Sequence, residues 1–350
     1  MGAPIFPTRG QVRPSTPIVQ GAINALANKP SAYIGRTLPT IQAPRETVNG
    51  ELRVHTTGKI FTLDPRDLFG DSKGDAVWNP KSEPELGIGV RPGSVDYDCV
   101  RYGRDELVDL WTASQSQLPI SLNELELAAV VSRLLIMEEV RFESFYTNAA
   151  NTSNSITLAG GEEFGTATGS DISPNNSANV VGVLLDAAER IRDYGQDPNY
   201  LVVPRKVVRA LRQHSKILDY LPDNTERLML VDMQLKGILS RILGIPVERI
   251  HFGTARRNNA GPNVAMNLVD IHDETIYMAH VDPNPTVSPD PVSGNLSVSP
   301  TAALRIEAVG FMPDIIEDKV RACERVRIWH AETFMAVEPR LACTITNTIG

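Results

Sequence analysis

PNYLVVPRKVVRALRQHSKI, residues 198–217, sets a short apolar run directly against a helical pattern. Tyr200 to Val203 is too short for a helix and reads as a buried strand. Pro204 reads as the first helical residue, where a missing N–H costs nothing. Many enzymes cradle a phosphate at such a strand-to-helix turn, using glycines and the helix N-terminus. Val203-Pro204-Arg205-Lys206 contains no glycine. The junction is therefore expected to serve packing, with no ligand at its turn.

Working outward, more of the same compact α/β region appears. Val180, Leu184, Ala187, Ile191 and Tyr194 mark a helix that Gly195 can end in a left-handed cap. Leu228 to Leu243 reads as another helix, ended by Gly244. Val247 to Phe252, Asn263 to Leu268 and Thr275 to Val281 read as strands, and Asp282 to Pro300 as a loop. Lys319 to Ile349 holds several runs that alternate apolar and polar residues, as an antiparallel sheet buried on one side would.

Toward the N-terminus, Asn151 to Asn179 is rich in Ser, Asn, Gly and Thr and reads as a linker. Ile120 to Asn148 has no Gly or Pro and opens on a capping box, Ser121 to Glu124. Leu127, Val131, Leu134, Leu135, Phe142 and Phe145 fall near one face of it. This predicts a helix of roughly 25 residues, about 40 Å long. Before it, Glu51 to His55, Lys59 to Leu63 and Ser94 to Tyr102 are strand-like around a polar stretch of about 30 residues, far beyond ordinary connections. The pattern predicts a long two-stranded arm, which is marginal alone and needs another surface. Residues 1 to 50 carry seven prolines between Pro4 and Pro44 and cannot bury a core of their own.

Composition narrows the function. The 350 residues are 42% hydrophobic and 22% charged, as in an ordinary folded protein. A net charge of -8 argues against general nucleic-acid affinity. The first 59 residues are the exception, with seven basic residues from Arg9 to Lys59 against Glu46 and Glu51. Cys99, Cys323 and Cys343 form no C-x-x-C pair and read as small buried thiols. The N-terminus lacks the apolar core of a signal peptide, and no run of 18 apolar residues predicts a membrane span. Phosphate-loop, dinucleotide, serine-hydrolase and zinc-protease motifs are absent. The glycines from Gly160 to Gly169 follow no strand and read as a flexible loop. His272, Asp273, Glu274, His280 and Asp282 have the composition of a metal site, but Ile271 to Tyr277 reads better as a hairpin tip. Asp71-Ser-Lys-Gly-Asp starts like a calcium loop, yet Lys73 occupies a ligand position. Arg256-Arg257-Asn-Asn reads as a short basic turn, solvated or at a subunit contact rather than a nucleic-acid site. No cofactor and no metal are expected.

The order of parts resembles the major capsid protein of tailed bacteriophages, the Hong Kong 97 fold shared with encapsulins. Tyr33-Ile-Gly-Arg-Thr-Leu-Pro-Thr-Ile is similar to the segment before the extended loop of many phage coat proteins. Leu127 to Arg141 resembles the family's spine helix, and Asp197 to Ile217 a strand and helix of its axial domain. The resemblance spans about residues 30–340. It implies an α+β fold with an N-terminal arm (1–50) and an extended loop (51–105). A peripheral domain (106–175 with 310–350) would contain a spine helix at about 121–148, and the axial domain would be 176–309.

It also implies a structural, non-enzymatic subunit that forms hexamers and pentamers of an icosahedral shell around double-stranded DNA. Such a shell would be assembled in the host cytoplasm with scaffolding, portal and decoration proteins, and with no membrane. The apolar groups expected to lie on a neighbour are Phe61, Leu68, Phe69 and Trp78, with Lys73 and Lys81 in the same loop. Arg205, Arg209 and Arg212, with Lys206, are expected to face neighbours around a capsomer axis. Some family members join a loop lysine to a neighbour's asparagine. Lys73, Lys81 and Asn347 are the residues available for this, without a supporting local motif. An encapsulin-like compartment and a soluble α/β enzyme are the competing readings.

Overall fold

The computed structural model describes residues 33–48, 51–63, 92–109, 122–168, 171–221, 231–260, 264–285, 295–318 and 323–350. A 3-10 turn at Ile34–Thr37 leads into β1 (Thr40–Gln42), β2 (Arg45–Val48), β3 (Glu51–Val54), β4 (Thr57–Leu63), β5 (Pro92–Asp98) and β6 (Val100–Asp109). The long helix α1 (Leu122–Thr147) follows, then β7 (Asn154–Thr157), β8 (Gly165–Thr168) and β9 (Asp171–Pro174). Next come α2 (Val180–Arg192), β10 (Tyr200–Pro204), α3 (Arg205–Gln213), α4 (Ser215–Leu218) and α5 (Asp232–Leu243). The chain closes with β11 (Ile250–Gly253), β12 (Arg256–Asn258), β13 (Leu268–Asp270), β14 (Ile276–Ala279), β15 (Leu296–Val298), β16 (Ala303–Asp318), β17 (Cys323–Ala336) and β18 (Ala342–Thr346).

Strand β10 is central to a five-stranded sheet ordered β11-β10-β14-β18-β7. All five of its residues are buried, so both faces are covered. Leu201 and Val203 point into a core shared with α2, α3 and α5. Tyr200 and Val202 point the other way, onto Phe142, Phe145 and Tyr146 at the end of α1. That is the period-two alternation of a strand sandwiched between layers. Pro204 is the last strand residue, because its pairing with Gly253 holds it extended at ψ 151. The helix therefore starts one residue later than expected, at Arg205. Gly195 and Gly244 take the expected left-handed conformations, at φ 78 and 75.

A second sheet, ordered β1-β16-β17-β6, lies beside α1. Val108, Val326 and Ile328 pack on Leu127, Val130, Val131, Leu134 and Leu135 of the helix. The apolar face read from the sequence is the buried face. Part of the opposite sheet surface is covered by β15-β4-β5, through Ile60, Tyr97, Leu296, Leu304 and Ile306. The expected two-stranded arm is present at its base, where Thr57–Leu63 pairs with Pro92–Asp98.

Several expectations change. The two runs Glu324–His330 and Ala331–Val337 are one 14-residue strand, β17. The loop from Asp282 contains β15, which pairs with β4 and stitches the arm to the body. The linker from Asn151 to Asn179 holds three strands, because Leu158 and Phe164 are anchored in the core. The strand expected over Asn263–Leu268 is β13, Leu268–Asp270, and Arg256-Arg257 begins a strand that pairs with it. Val247–Arg249 is a 3-10 turn before β11. Residues 271–277 do not join a hairpin: β13 pairs with β12, whereas β14 pairs with β10 and β18. Strands β7 and β18 hydrogen-bond into the sheet of the region expected as axial, although both were grouped with the peripheral part. The capping box at Ser121 lies outside the described residues.

Candidate functional site: a buried charge network at the junction of both sheets

Glu138 and Glu139 are adjacent in α1, and each is only 1% exposed. Neighbours on a helix point about 100° apart, so the pair serves two surroundings at once. Glu139 faces the N-terminal turn. It accepts the backbone N–H of Ile34 at 2.9 Å and of Gly35 at 3.0 Å. Its Oε1 also lies 2.6 Å from His272 Nε2, and His272 Nδ1 lies 2.9 Å from the Tyr146 hydroxyl. With Nε2–H donating to the carboxylate, Nδ1 accepts from the tyrosine hydroxyl. His272 is fully buried. A Cβ at Gly253 would come within 2.7 Å of its ring, and one at Gly35 within 3.0 Å of Phe142 Cβ. Both glycines are needed for this close packing. On its other side the turn meets β10, where Thr37 Oγ1 and Tyr200 Oη are 2.8 Å apart.

Glu138 faces the four-stranded sheet. Arg36 donates to it from Nε at 3.1 Å and from Nη2 at 3.0 Å. Arg305 bridges two acids, with Nη2 at 3.3 Å from Glu138 Oε1 and Nε at 2.6 Å from Glu332 Oε2. Arg141 donates to Glu332 Oε1 at 2.7 Å, and His330 Nε2 lies 3.3 Å from the same oxygen. Burial drives the Glu138 carboxyl above its ordinary range, and the attraction of Arg305 only partly opposes it. Burial also acts against charge on Glu332, but His330, Arg305 and Arg141 together hold it well below the usual range.

Glu138, His330 and Glu332 offer ligand atoms within 4.8 Å of one another. This donor set does not fit a metal ion, because both carboxylates already carry arginines. A cation placed there would meet the guanidiniums of Arg305 and Arg141. The network is a clamp. It ties the turn at Ile34–Thr37, helix α1, strands β16 and β17, and the His272 segment into one unit.

His251 borders this junction, with its ring centroid 5.1 Å from that of Tyr200. Burial, with Lys236 and Arg249 nearby, lowers its pKa from 6.5 to about 4. Below pH 6.5 the unfolded chain takes up a proton that the folded chain resists. Stability contributed by the neutral ring is thus present above that value and lost as pH falls toward 4. The loss should approach about 3 kcal/mol. Urea denaturation at pH 7, 5.5 and 4.5 should show this slope, and His251→Gln should flatten it.

The expected contact residues are placed as follows. Phe61 sits half-buried on β4, between the buried Ile60 and Thr62. Leu68, Phe69, Lys73, Trp78 and Lys81 lie outside the described residues. Arg205, Arg209 and Arg212 share helix α3. Arg205 comes within 4.0 Å of Asp270 and Arg212 is paired with Asp232, so both have partners in their own chain. Lys206 pairs with Asp273 and Glu274. Arg209 is exposed. Asn347 is exposed with φ 56. His280 bonds the Asp197 carbonyl at 2.7 Å, far from the role of His272, so the two histidines do not form one cluster. All three cysteines are free and buried.

No family model matches the sequence, and no curated protein does. Solved structures do match, over nearly the whole chain. A phage-related protein from Bordetella bronchiseptica RB50 aligns with a TM-score of 0.62 at 18% identity, covering 95% of this chain and 97% of that one. A virus-like particle from Pyrococcus furiosus aligns at 0.54 and 8% identity, covering 94% and 98%. The capsid of cyanophage P-SCSP1u aligns at 0.51 and 10% identity, covering 90% and 86%. The chain has a Hong Kong 97-like capsid fold. Helix α1 follows the paired strands β4 and β5 and the strand β6 in the chain. The buried charge network lies where α1 meets the turn at Ile34–Thr37.

Proposed function

We propose that this chain is a shell-forming major capsid protein. Copies assemble into hexamers and pentamers of an icosahedral head that encloses double-stranded DNA, in a virion built in the host cytoplasm. The observation that carries the reading is the likeness to the phage-related and capsid structures over nearly the whole chain. The net charge of -8 suits a container that should not grip its contents. Scaffolding, portal and decoration proteins are the partners such a shell would use. The subunit's role is structural rather than catalytic. The acids of the buried network are held by arginines of the same chain or by backbone N–H groups.

An encapsulin-like compartment is the second reading, since one similar structure is a virus-like particle from Pyrococcus furiosus rather than a phage capsid. Particles purified from the native source separate the two. Nuclease-protected double-stranded DNA of uniform length is the expected content. Particles filled with a protein cargo and free of DNA would contradict the viral reading.

A further inference from the structure

The four-stranded sheet is covered unequally. One face lies under α1. On the other, the end of β17 from Ala331 to Val337 packs beneath the three-stranded sheet. Beyond that cover the register sets Met312 opposite Trp329, Trp329 opposite Gly103, and Arg325 opposite Leu107. Strand side chains two residues apart share a face, so Trp329, Arg327 and Arg325 line one side together with Met312, Arg101 and Leu107. Leu107 is 50% exposed and Met312 49%. Gly103 lets Trp329 pack closely across the strands, since a Cβ there would lie 3.1 Å from Trp329 Cβ. Arg101 lies over the ring, its guanidinium carbon 3.8 Å from the centroid. Arg101 forms no ion pair among the described residues, whereas Arg327 is bidentate to Asp105.

A tryptophan and an unpaired arginine, ringed by exposed aliphatic groups, are the chemistry of an interface hot spot. The occupant must bring a carboxylate for Arg101 and apolar groups for the sheet. A second copy of the chain meets both needs. It carries 42 acidic against 34 basic residues, and its strand β5 presents Asp96 and Asp98 on an exposed edge. A patch that meets a different patch on an identical neighbour generates rings, the kind of contact that a closed shell is built from. We infer that the open sheet face around Trp329 and Arg101 seats a neighbouring copy of this chain. The inference rests on the shell reading.

Hydroxyl-radical labelling of wild-type protein, assembled and dissociated, tests it. Labelling of Trp329 and Met312 should fall severalfold on assembly. Arg101→Glu, a surface change that leaves the fold intact, should raise the critical concentration for assembly about tenfold. Trp329→Ala should raise it further, with its melting curve showing whether the subunit stays folded. Equal labelling in both states, or assembly of Arg101→Glu at the wild-type concentration, would overturn the inference and leave the shell reading intact. Protection that appears only on adding nucleic acid would overturn it in favour of that ligand. A wild-type chain that never assembles would remove the shell reading itself.

Discussion

Arg305→Met is expected to destabilise the subunit by about 3–5 kcal/mol, the cost of removing one partner from a buried ion pair. Methionine approximates the length of the stem but not the charge. Glu138 and Glu332 would be left 1% exposed with a bridging cation gone. Glu138 already sits above its ordinary pKa range through burial, so it is the first acid expected to take up a proton in the variant. The deficit should therefore shrink as pH falls through the carboxylate range, because protonating Glu138 removes a charge that has lost one of its two cations. Adding Glu138→Gln and Glu332→Gln to Arg305→Met should not recover the loss, because Arg36 and Arg141 would then be left without their carboxylates. Chemical denaturation of the single and triple variants checks this. A loss below about 1 kcal/mol, as for exposed pairs, would show that the network is screened.

Glu139→Ala is expected to cost about 4 kcal/mol, since three buried donors lose their acceptor together. They are the N–H groups of Ile34 and Gly35 and the His272 ring. The effect should be local first. Amide exchange at residues 34–38 should accelerate before that of β10, which keeps its own ladder. Glu139→Gln should cost about 1–2 kcal/mol, because the amide oxygen retains one side of the acceptor set. Equal exchange at residue 34 in wild type and Glu139→Ala would mean that the turn is held by Thr37 and Tyr200 instead.

Which features could be read from the sequence follows from how local their causes are. The long helix α1 was legible because an unbroken apolar face needs only its own residues. Strand β10 and its helix were legible for the same reason, and Gly195 and Gly244 marked helix ends through a backbone preference of their own. Sheet membership was not legible. Strands β7 and β18 carry ordinary alternation, and only a tertiary pairing draws them into the β10 sheet. The turn that was expected at residues 271–277 failed similarly, since β13 and β14 find partners elsewhere. His272 looked like a polar tip, yet it is buried because Glu139 lies 133 residues away in sequence and 2.6 Å away in space. One signal was present. Glu138 and Glu139 interrupt the apolar run Leu134 to Val140, and two acids on a buried stripe demand partners. Nothing in the sequence tied them to Arg36, Arg305 and His272, their partners in the fold.

The mass of the purified chain in solution tests the central claim most directly. Light scattering coupled to size exclusion, followed by electron microscopy of each peak, should find capsomers of five or six copies or closed shells far larger. A stable monomer or dimer at every concentration, with or without the expected partners, would contradict the account that this chain is built to enclose.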